Sequence, residues 1–461
     1  MNIKGLGLTL ITGFVLAACT PAGNSPDEET PETPDEPTPV TAPETTGPVL
    51  QTSLSSEGAE FLVRIESVST PTTLTTEDGG SVPVPLSPGA WVVSSEDAPL
   101  FTTGEASSPG LEDIAEDGDA TVLGEALAEA FAEGKAGVFN TPVGADMPGP
   151  IGPGENFGGT AYEFTVQAEA GEKLSLATMF IQSNDAFYAP NEEGIALFDE
   201  SGAPISGDVT AQLSLWDSGT EVNEPYGTGA NQAPRQAGPN TGETENGVVT
   251  LLTGENAPVT TGPVIKVTVT PTAYVFTATL TNVSTDMTLT TADGSAAVPL
   301  SPGVWTLHTE DAPLFTTGEA SSPGLEDIAE DGDPTVSAEE LSDAATEGRA
   351  GVFNTPDGAD MPGPIGPGGV YSFTFDAQLG DKLSFATMFI QSNDAFYAPD
   401  EEGIALFADD RPVSGDVSDQ VALWDSGTEV NEPYGTGPNQ APRQSGPNVG
   451  ETENGVVTLL R

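Results

Sequence analysis

The chain has 461 residues, with 71 acidic against 11 basic side chains and a formal net charge of −60. Repulsion on that scale excludes nucleic acid as a partner and leaves solubility, divalent-cation binding or attraction to a basic partner as readings of the charge. One cysteine in the whole chain excludes an internal disulfide, so the fold must stand on packing and on any metal it holds.

In chain order, Lys4 gives a weakly basic start, and the apolar run Leu6 to Ala18 is too short to span a bilayer. It ends in Leu16-Ala17-Ala18-Cys19. This resembles the lipobox of bacterial lipoproteins, in which the cysteine is lipidated after signal cleavage. Residues 1–19 are therefore expected to be a lipoprotein signal peptide, with Cys19 as the lipidation site and membrane attachment through the N-terminal lipid. An ordinary secretory signal with an incidental cysteine is the alternative. Thr20 and Pro21 follow, with no acid directly after the cysteine. That pattern looks like outer-membrane sorting and places the chain in the cell envelope, at the outer membrane or cell surface. Residues 20–47 are rich in Pro, Thr and Glu and read as a disordered stalk.

The remainder says one thing twice. EDAPLFTTGEASSPGLEDIAEDGD at 96–119 returns at 310–333, ATMFIQSNDAFYAP at 177–190 returns at 386–399, and LWDSGTEVNEPYGTG at 215–229 returns at 423–437. Two modules follow, 48–252 and 264–461, joined by a Thr/Gly/Pro linker at 253–263. Each is long enough to bury a core of its own. A residue the module uses should stand in both copies. The only histidine, His308, faces Ser94 in the other copy, so no His-based triad or zinc site belongs to the module; it reads as an exposed strand-end residue. Asn282-Val283-Ser284 matches a glycosylation acceptor but has Ser67 at the equivalent of Asn282 and is discounted.

Inside each module the hydrophobic period is mostly two. Phe61, Val63 and Ile65 alternate with Leu62, Arg64 and Glu66, Phe276, Ala278 and Leu280 stand in register in the second copy, and Tyr162, Phe164 and Val166 alternate with Glu163 and Thr165, as Tyr371, Phe373 and Phe375 do in their copy. Short alternating segments separated by Gly, Pro, Asn and Asp turns predict an all-β fold of two tandem antiparallel β-sandwich modules. One short helix per module is expected. Leu123, Leu127 and Phe131 recur every four residues up to a C-cap at Gly134, and the second copy offers a Ser337/Glu340 capping box. The acidic run Glu112 to Asp119, repeated at 326–333, lacks the spacing of a calcium-binding EF-hand and reads as a solvated helix or loop face.

Carboxylates are the chemistry that remains. Asp185 follows an apolar strand, and Asp217 and Glu221 lie four apart around Gly219; the copies are Asp394, Asp425 and Glu429. Acids on strand-end loops with a glycine between them suit a hard, oxygen-seeking cation such as calcium, and Asn223 and Asn231 are near enough in sequence to add oxygens. They suit a plain acidic turn as well.

The segments SPGAWVV and SPGVWTL, ATMFIQSNDAFYAP, and LWDSGTEVNEPYGTGANQAPRQ with its near copy at 423–444 resemble the spondin N-terminal domain in the form found in bacterial secreted proteins. The likeness covers both modules nearly end to end. It implies an antiparallel β-sandwich similar to calcium-dependent lipid-binding domains, with one calcium per module. Residue by residue it implies Asp185, Asp217 and Glu221, and Asp394, Asp425 and Glu429, as metal ligands. Glu stands where the family has a second Asp, and the cysteines and companion domains of animal members are missing, so the animal partners do not carry over. The expectation is a non-enzymatic, lipid-anchored surface or periplasmic protein for adhesion or for contact with a surface, matrix or glycan partner. The alternatives are a stalked acidic structural protein without a ligand and, further off, a carboxylate-dependent hydrolase.

Overall fold

The computed structural model describes residues 41–461 apart from Ala98, Glu155, Asn156, Pro234, Asp311, Ala312, residues 345–347 and Pro442. The signal segment, Cys19 and the first part of the stalk lie outside the described residues.

Alternation of apolar and polar side chains produces the two longest strands, Leu50–Ser67 and Ile265–Asn282, of 18 residues each. On the inward face Phe61, Val63, Ile65, Phe276, Ala278 and Leu280 are completely buried, as the period of two requires. The strands come from different copies, yet they pair antiparallel along their whole length, Leu50 opposite Asn282 and Ser67 opposite Ile265. Bulges at Ser56/Gly58 and Glu60/Phe61 mark the middle, where the twist increases.

Each half of the pair belongs to a different module. Ala161–Glu169 flanks residues 58–66 of the first long strand, while the two-residue strand Gly415–Asp416 of the second copy flanks Ser53 and Leu54. The arrangement repeats about the middle. Val370–Ala377 flanks residues 274–281, and Gly207–Asp208 of the first copy flanks Thr268 and Val269. The first half of each long strand thus completes the sandwich of the other copy, and one hydrophobic core runs through both.

This exchange starts earlier than the strands. Thr45 bridges to Leu289, and Thr260 bridges to Leu74. The end of the expected stalk and most of the expected linker are therefore ordered parts of the fold. Their Thr/Pro composition reads as linker, but Thr45-Thr46-Gly47-Pro48-Val49 and Thr260-Thr261-Gly262-Pro263-Val264 are one more repeat, held by main-chain bonds that polar composition does not reveal.

The second sheet of each sandwich has seven strands. In the first copy the order is Thr250–Leu251, Leu213–Asp217, Ala186–Pro190, Lys173–Phe180, Leu86–Ser94 and Ala136–Phe139, with Ile195–Ala196 beside Lys173–Phe180. Its inner face meets the shared sheet through stacked rings, Trp91 on Phe164 with centroids 5.5 Å apart and Phe139 on Phe164 at 5.3 Å. Trp305, Phe353 and Phe373 repeat the stack at 5.5 and 5.2 Å.

The outer face is covered by helices, which is why Ala90, Val92, Ala177, Phe187 and Ala189 are buried too. Each module has two helices where one was expected: α1 Pro109–Asp117 and α2 Thr121–Ala130, then α3 Pro323–Asp331 and α4 Thr335–Ala344. The acidic run supplies α1. Ser108 caps it by accepting from the Leu111 amide, Pro109 opens it, and Gly118 closes it at φ 69°, a left-handed position where a Cβ would also lie 2.6 Å from Ser87. α2 ends at Ala130 with an extended Phe131, short of Gly134. The expected capping box is also redrawn. Ser337 is buried inside α4, and Glu340 reaches across to the start of α3, accepting from Ser322 Oγ at 2.8 Å and the Gly324 amide at 3.2 Å. The architecture is all-β, two antiparallel sandwiches in tandem with short helices laid on the outside.

Candidate functional site

The acids gather where the seven-stranded sheet meets its connecting loops. After Phe180 the chain turns through Gln182-Ser183-Asn184-Asp185. Ser183 Oγ donates to the Phe180 carbonyl at 2.7 Å and accepts from the Ala186 amide at 3.0 Å. Asn184 ties the turn to the next loop, donating to the Val222 carbonyl at 3.1 Å and accepting from the Glu224 amide at 3.2 Å. Asp185 is thereby set opposite the end of Leu213–Asp217, and its carbonyl accepts from the Ser218 amide at 3.1 Å.

Asp185 is fully buried. Its Oδ2 accepts from Ser218 Oγ at 3.2 Å and from the Thr220 and Glu221 amides at 3.1 Å each. Its Oδ1 is buried without any partner. Asp217, also buried, accepts from the Gly219 amide at 2.8 Å through Oδ1 and from Asn223 Nδ2 at 2.6 Å through Oδ2. Gly219 sits at φ 71°, and a Cβ there would lie 2.5 Å from the Val248 nitrogen, so the turn between the two acids needs glycine.

The second module reproduces this. Asp394 Oδ2 accepts from the Thr428 and Glu429 amides at 3.2 Å each and from Ser426 Oγ at 3.4 Å. Asp425 accepts from the Gly427 amide at 2.8 Å and Asn431 Nδ2 at 3.0 Å. Asp394 Oδ1 is again buried without a partner.

The expected third ligand behaves differently. Glu221 gives its amide to Asp185, but its carboxylate turns to the Gly242 amide, with Oε1 at 2.7 Å, and Glu429 does the same to Gly450 at 2.6 Å. A Cβ on either glycine would lie 2.0 Å from the glutamate carboxyl carbon, so a larger residue would have to displace the carboxylate. Asn231 leaves the site too, bonding Glu224 through its amide and Nδ2. The structure brings together Asp185 with Asp217 and Asp394 with Asp425, and it sets the two glutamates on an adjoining shelf. Among the described residues no three acids are arranged to hold a metal ion.

One member was not foreseen. Glu116, on α1, is buried beside Thr220 and faces Glu221 and Asp185; Glu330 on α3 is placed in the same way beside Thr428 and Glu429. The run that reads as a solvated helix therefore sends one carboxyl inward. Because 96–119 and 310–333 are identical, comparing the copies cannot single out this position.

Burial, and then the Asp217 charge, push Asp185 up to about 7. Burial raises Glu116 and Glu330 to about 7 against the hydrogen bonds from Thr220 and Thr428. Burial lifts Asp394, with the Asp425 charge adding to it, and burial also lifts Asp425, Glu221 and Glu429. Among the described residues no lysine or arginine pairs with any of these acids. Beyond the hydrogen bonds they accept, a proton or a bound cation would offset the burial of these carboxylates. A polar cleft of about 660 Å³, lined in part by Glu77, Asp217, Glu224, Glu245 and Glu255, opens beside Asp217 of the first module; Asp185 does not line it.

The donor set fits a hard cation in part. It offers two close carboxylates and an orphaned oxygen in each module, while calcium takes 6–8 oxygens, so main-chain, amide or water oxygens would have to supply the rest. His308, expected as exposed, is half-buried at its strand end, with Nε2 and Ser384 Oγ 2.9 Å apart. Asn282 is buried, its Nδ2 donating to the Val298 and Ile365 carbonyls at 2.8 and 3.0 Å, which leaves no room for a glycan. The sequence matches no protein-family model and no curated protein.

Proposed function

We propose that the chain is a non-enzymatic, lipid-anchored protein of a bacterial cell envelope whose two spondin-like sandwiches each hold one calcium ion. Asp185 with Asp217, and Asp394 with Asp425, are the ligands in this reading, and its role is adhesion or contact with a surface, matrix or glycan. The observation that carries it is the buried, unpartnered oxygen beside a second carboxylate, found twice, at Asp185 Oδ1 and Asp394 Oδ1. Leaving such an atom without a partner costs free energy, and a divalent cation would remove that cost and the repulsion together. Calcium would fix the loops that carry both acids and so stiffen one end of each sandwich. Glu221 and Glu429 act by shaping those loops, through their bonds to Gly242 and Gly450.

A second reading is supported by the lack of a three-acid cluster among the described residues. In it the acids hold protons instead of metal and the protein is purely structural. The hydrolase reading needs one raised acid facing substrate, with its partner ~5–10 Å away; Asp185 is fully buried and its Oδ2 is occupied by three donors.

The test is melting temperature against calcium for the wild type and for Asp217→Ala combined with Asp425→Ala. A saturable rise in the wild type that the double variant lacks supports the calcium reading. Equal, weak responses in both favour the structural protein.

A further inference from the structure

Each module is closed by an arm from the other, and the closing bonds are made twice. Residues 42–56 dock on the C-terminal module: the Thr46 amide donates to the Thr288 carbonyl at 2.8 Å, the Thr290 amide to the Glu44 carbonyl at 2.8 Å, the Val283 amide to the Val49 carbonyl at 2.8 Å, and the Val417 amide to the Thr52 carbonyl at 2.9 Å. Residues 257–271 dock on the N-terminal module through the matching set: Thr261 to Thr73 at 2.8 Å, Thr75 to Val259 at 2.9 Å, Val68 to Val264 at 2.9 Å and Val209 to Val267 at 2.9 Å. Val49, Leu50 and Leu54 of one arm, and Val264, Ile265, Val267 and Val269 of the other, are buried. Without its arm, either sandwich would expose an open sheet edge above an apolar core.

We infer that arm and groove form a self-recognition device, and that a second copy of this chain is a partner, joined by reciprocal exchange of the arm of residues 42–56. Three observations point this way. First, the two grooves accept arms of different sequence, APETTGPVLQTSLSS and APVTTGPVIKVTVTP, so recognition rests on main-chain bonds and apolar spacing that any copy can supply. Second, the two dockings differ in topology. The arm at 257–271 follows directly on the N-terminal module's last strand, Thr250–Leu251, and folds back on the module it has just left. The arm at 42–56 instead meets residues at the other end of the chain, including Ser418, whose Oγ accepts from the Thr52 amide at 2.8 Å, and Arg461, whose carbonyl accepts from the Ala42 amide at 3.3 Å. Nothing in that contact requires both sides to be one molecule. Third, Glu44 is the only charged residue in this arm, and Asp416 on the groove side is met by the neutral Gln51, whose Nε2 donates to it at 3.0 Å, so the arm itself adds little to the repulsion between two copies of net charge −60. The bulges at Ser56/Gly58 and Glu60/Phe61 supply the hinge, dividing the exchanged half of the strand from the half that stays. Exchange of an identical element is a low-cost route from monomer to dimer. The inference goes beyond the calcium reading and does not depend on it, since none of the proposed ligands lies on the arm.

The experiment uses residues 40–461, which form one compact unit. They are unfolded and refolded at low and at high protein concentration, diluted equally, and sized by light scattering. The dimer fraction should rise about tenfold or more with refolding concentration and persist after dilution, since reversal requires pulling a strand from a sheet. Ser55→Cys with Thr277→Cys, a directly opposed pair within disulfide reach, locks the arm to its own chain when oxidised as monomer. The locked protein should refold only to monomer and regain dimer on reduction. A peptide of residues 42–56 present during refolding should lower the wild-type dimer fraction. Monomer alone at every concentration, a locked protein that dimerises as well as the wild type, or a peptide without effect would each overturn the proposal.

Discussion

Asp185 and Asp394 concentrate the chemistry at the scale of single residues. Asparagine at both positions would keep an oxygen for the amide donors and remove a buried charge site. In the absence of calcium the double variant should therefore melt higher, by the equivalent of about 1–2 kcal/mol. With calcium it should bind at least about tenfold more weakly, so the two effects have opposite signs on one pair of side chains. Gly242→Ala drives a Cβ into the Glu221 carboxyl group, whereas Gly149→Ala enters open space. The first should cost about 1–3 kcal/mol by denaturant titration and the second close to nothing. Both aspartates and the turn glycine at 219 were legible in the sequence, because acids at strand ends stand out in duplicate. The turning of Glu221 away from the pair was not legible, because it depends on Gly242, far along the chain. Glu116 was hidden as well, since one inward carboxyl in an acidic helix leaves no trace in spacing.

Elements respond to the same acids collectively. Glu116 on α1, Glu330 on α3 and Asp185 are raised to about 7, so the folded state holds protons that the unfolded chain releases near pH 4. Their contribution is fully present below the unfolded value and is lost as pH rises from about 4 to about 7. Metal-free protein should accordingly melt higher at pH 5.5 than at pH 8, and saturating calcium should flatten or invert that order. A metal-free melting temperature that climbs from pH 5.5 to 8 would contradict the burial of these groups. Glu340→Ala removes the reach from α4 to the start of α3 and should cost about 1 kcal/mol; Ala126 stands at the equivalent place in α2, so the first module has no counterpart to lose. Strands were the readable elements, because a period of two survives in segments such as Phe61 to Ile65. Of the helices, only the one with apolar spacing was expected; α1 and α3 are capped and closed by Ser, Pro and Gly signals set within an acidic run.

For the whole molecule, the exchanged arms decide how the modules behave. Two independent sandwiches would unfold in two steps, but here the longest strand of each is half embedded in the other. Calorimetry should show one cooperative transition; two separate ones would contradict the shared core. The repeat made two sandwiches readable from the sequence. Their interlocking was not readable, because the arms lie in Thr- and Pro-rich stretches whose composition is that of a linker and whose order comes only from strand pairing across the chain. Titration calorimetry with calcium at pH 6.5, in two buffers of different ionisation heat, reads directly whether each sandwich holds calcium between its paired aspartates. Two saturable sites per chain are expected, with a difference between buffers that reports about one proton released per ion and loss of both signals in Asp185→Asn with Asp394→Asn. Weak, non-saturating heat that is the same in both buffers and unchanged in the double variant would contradict it.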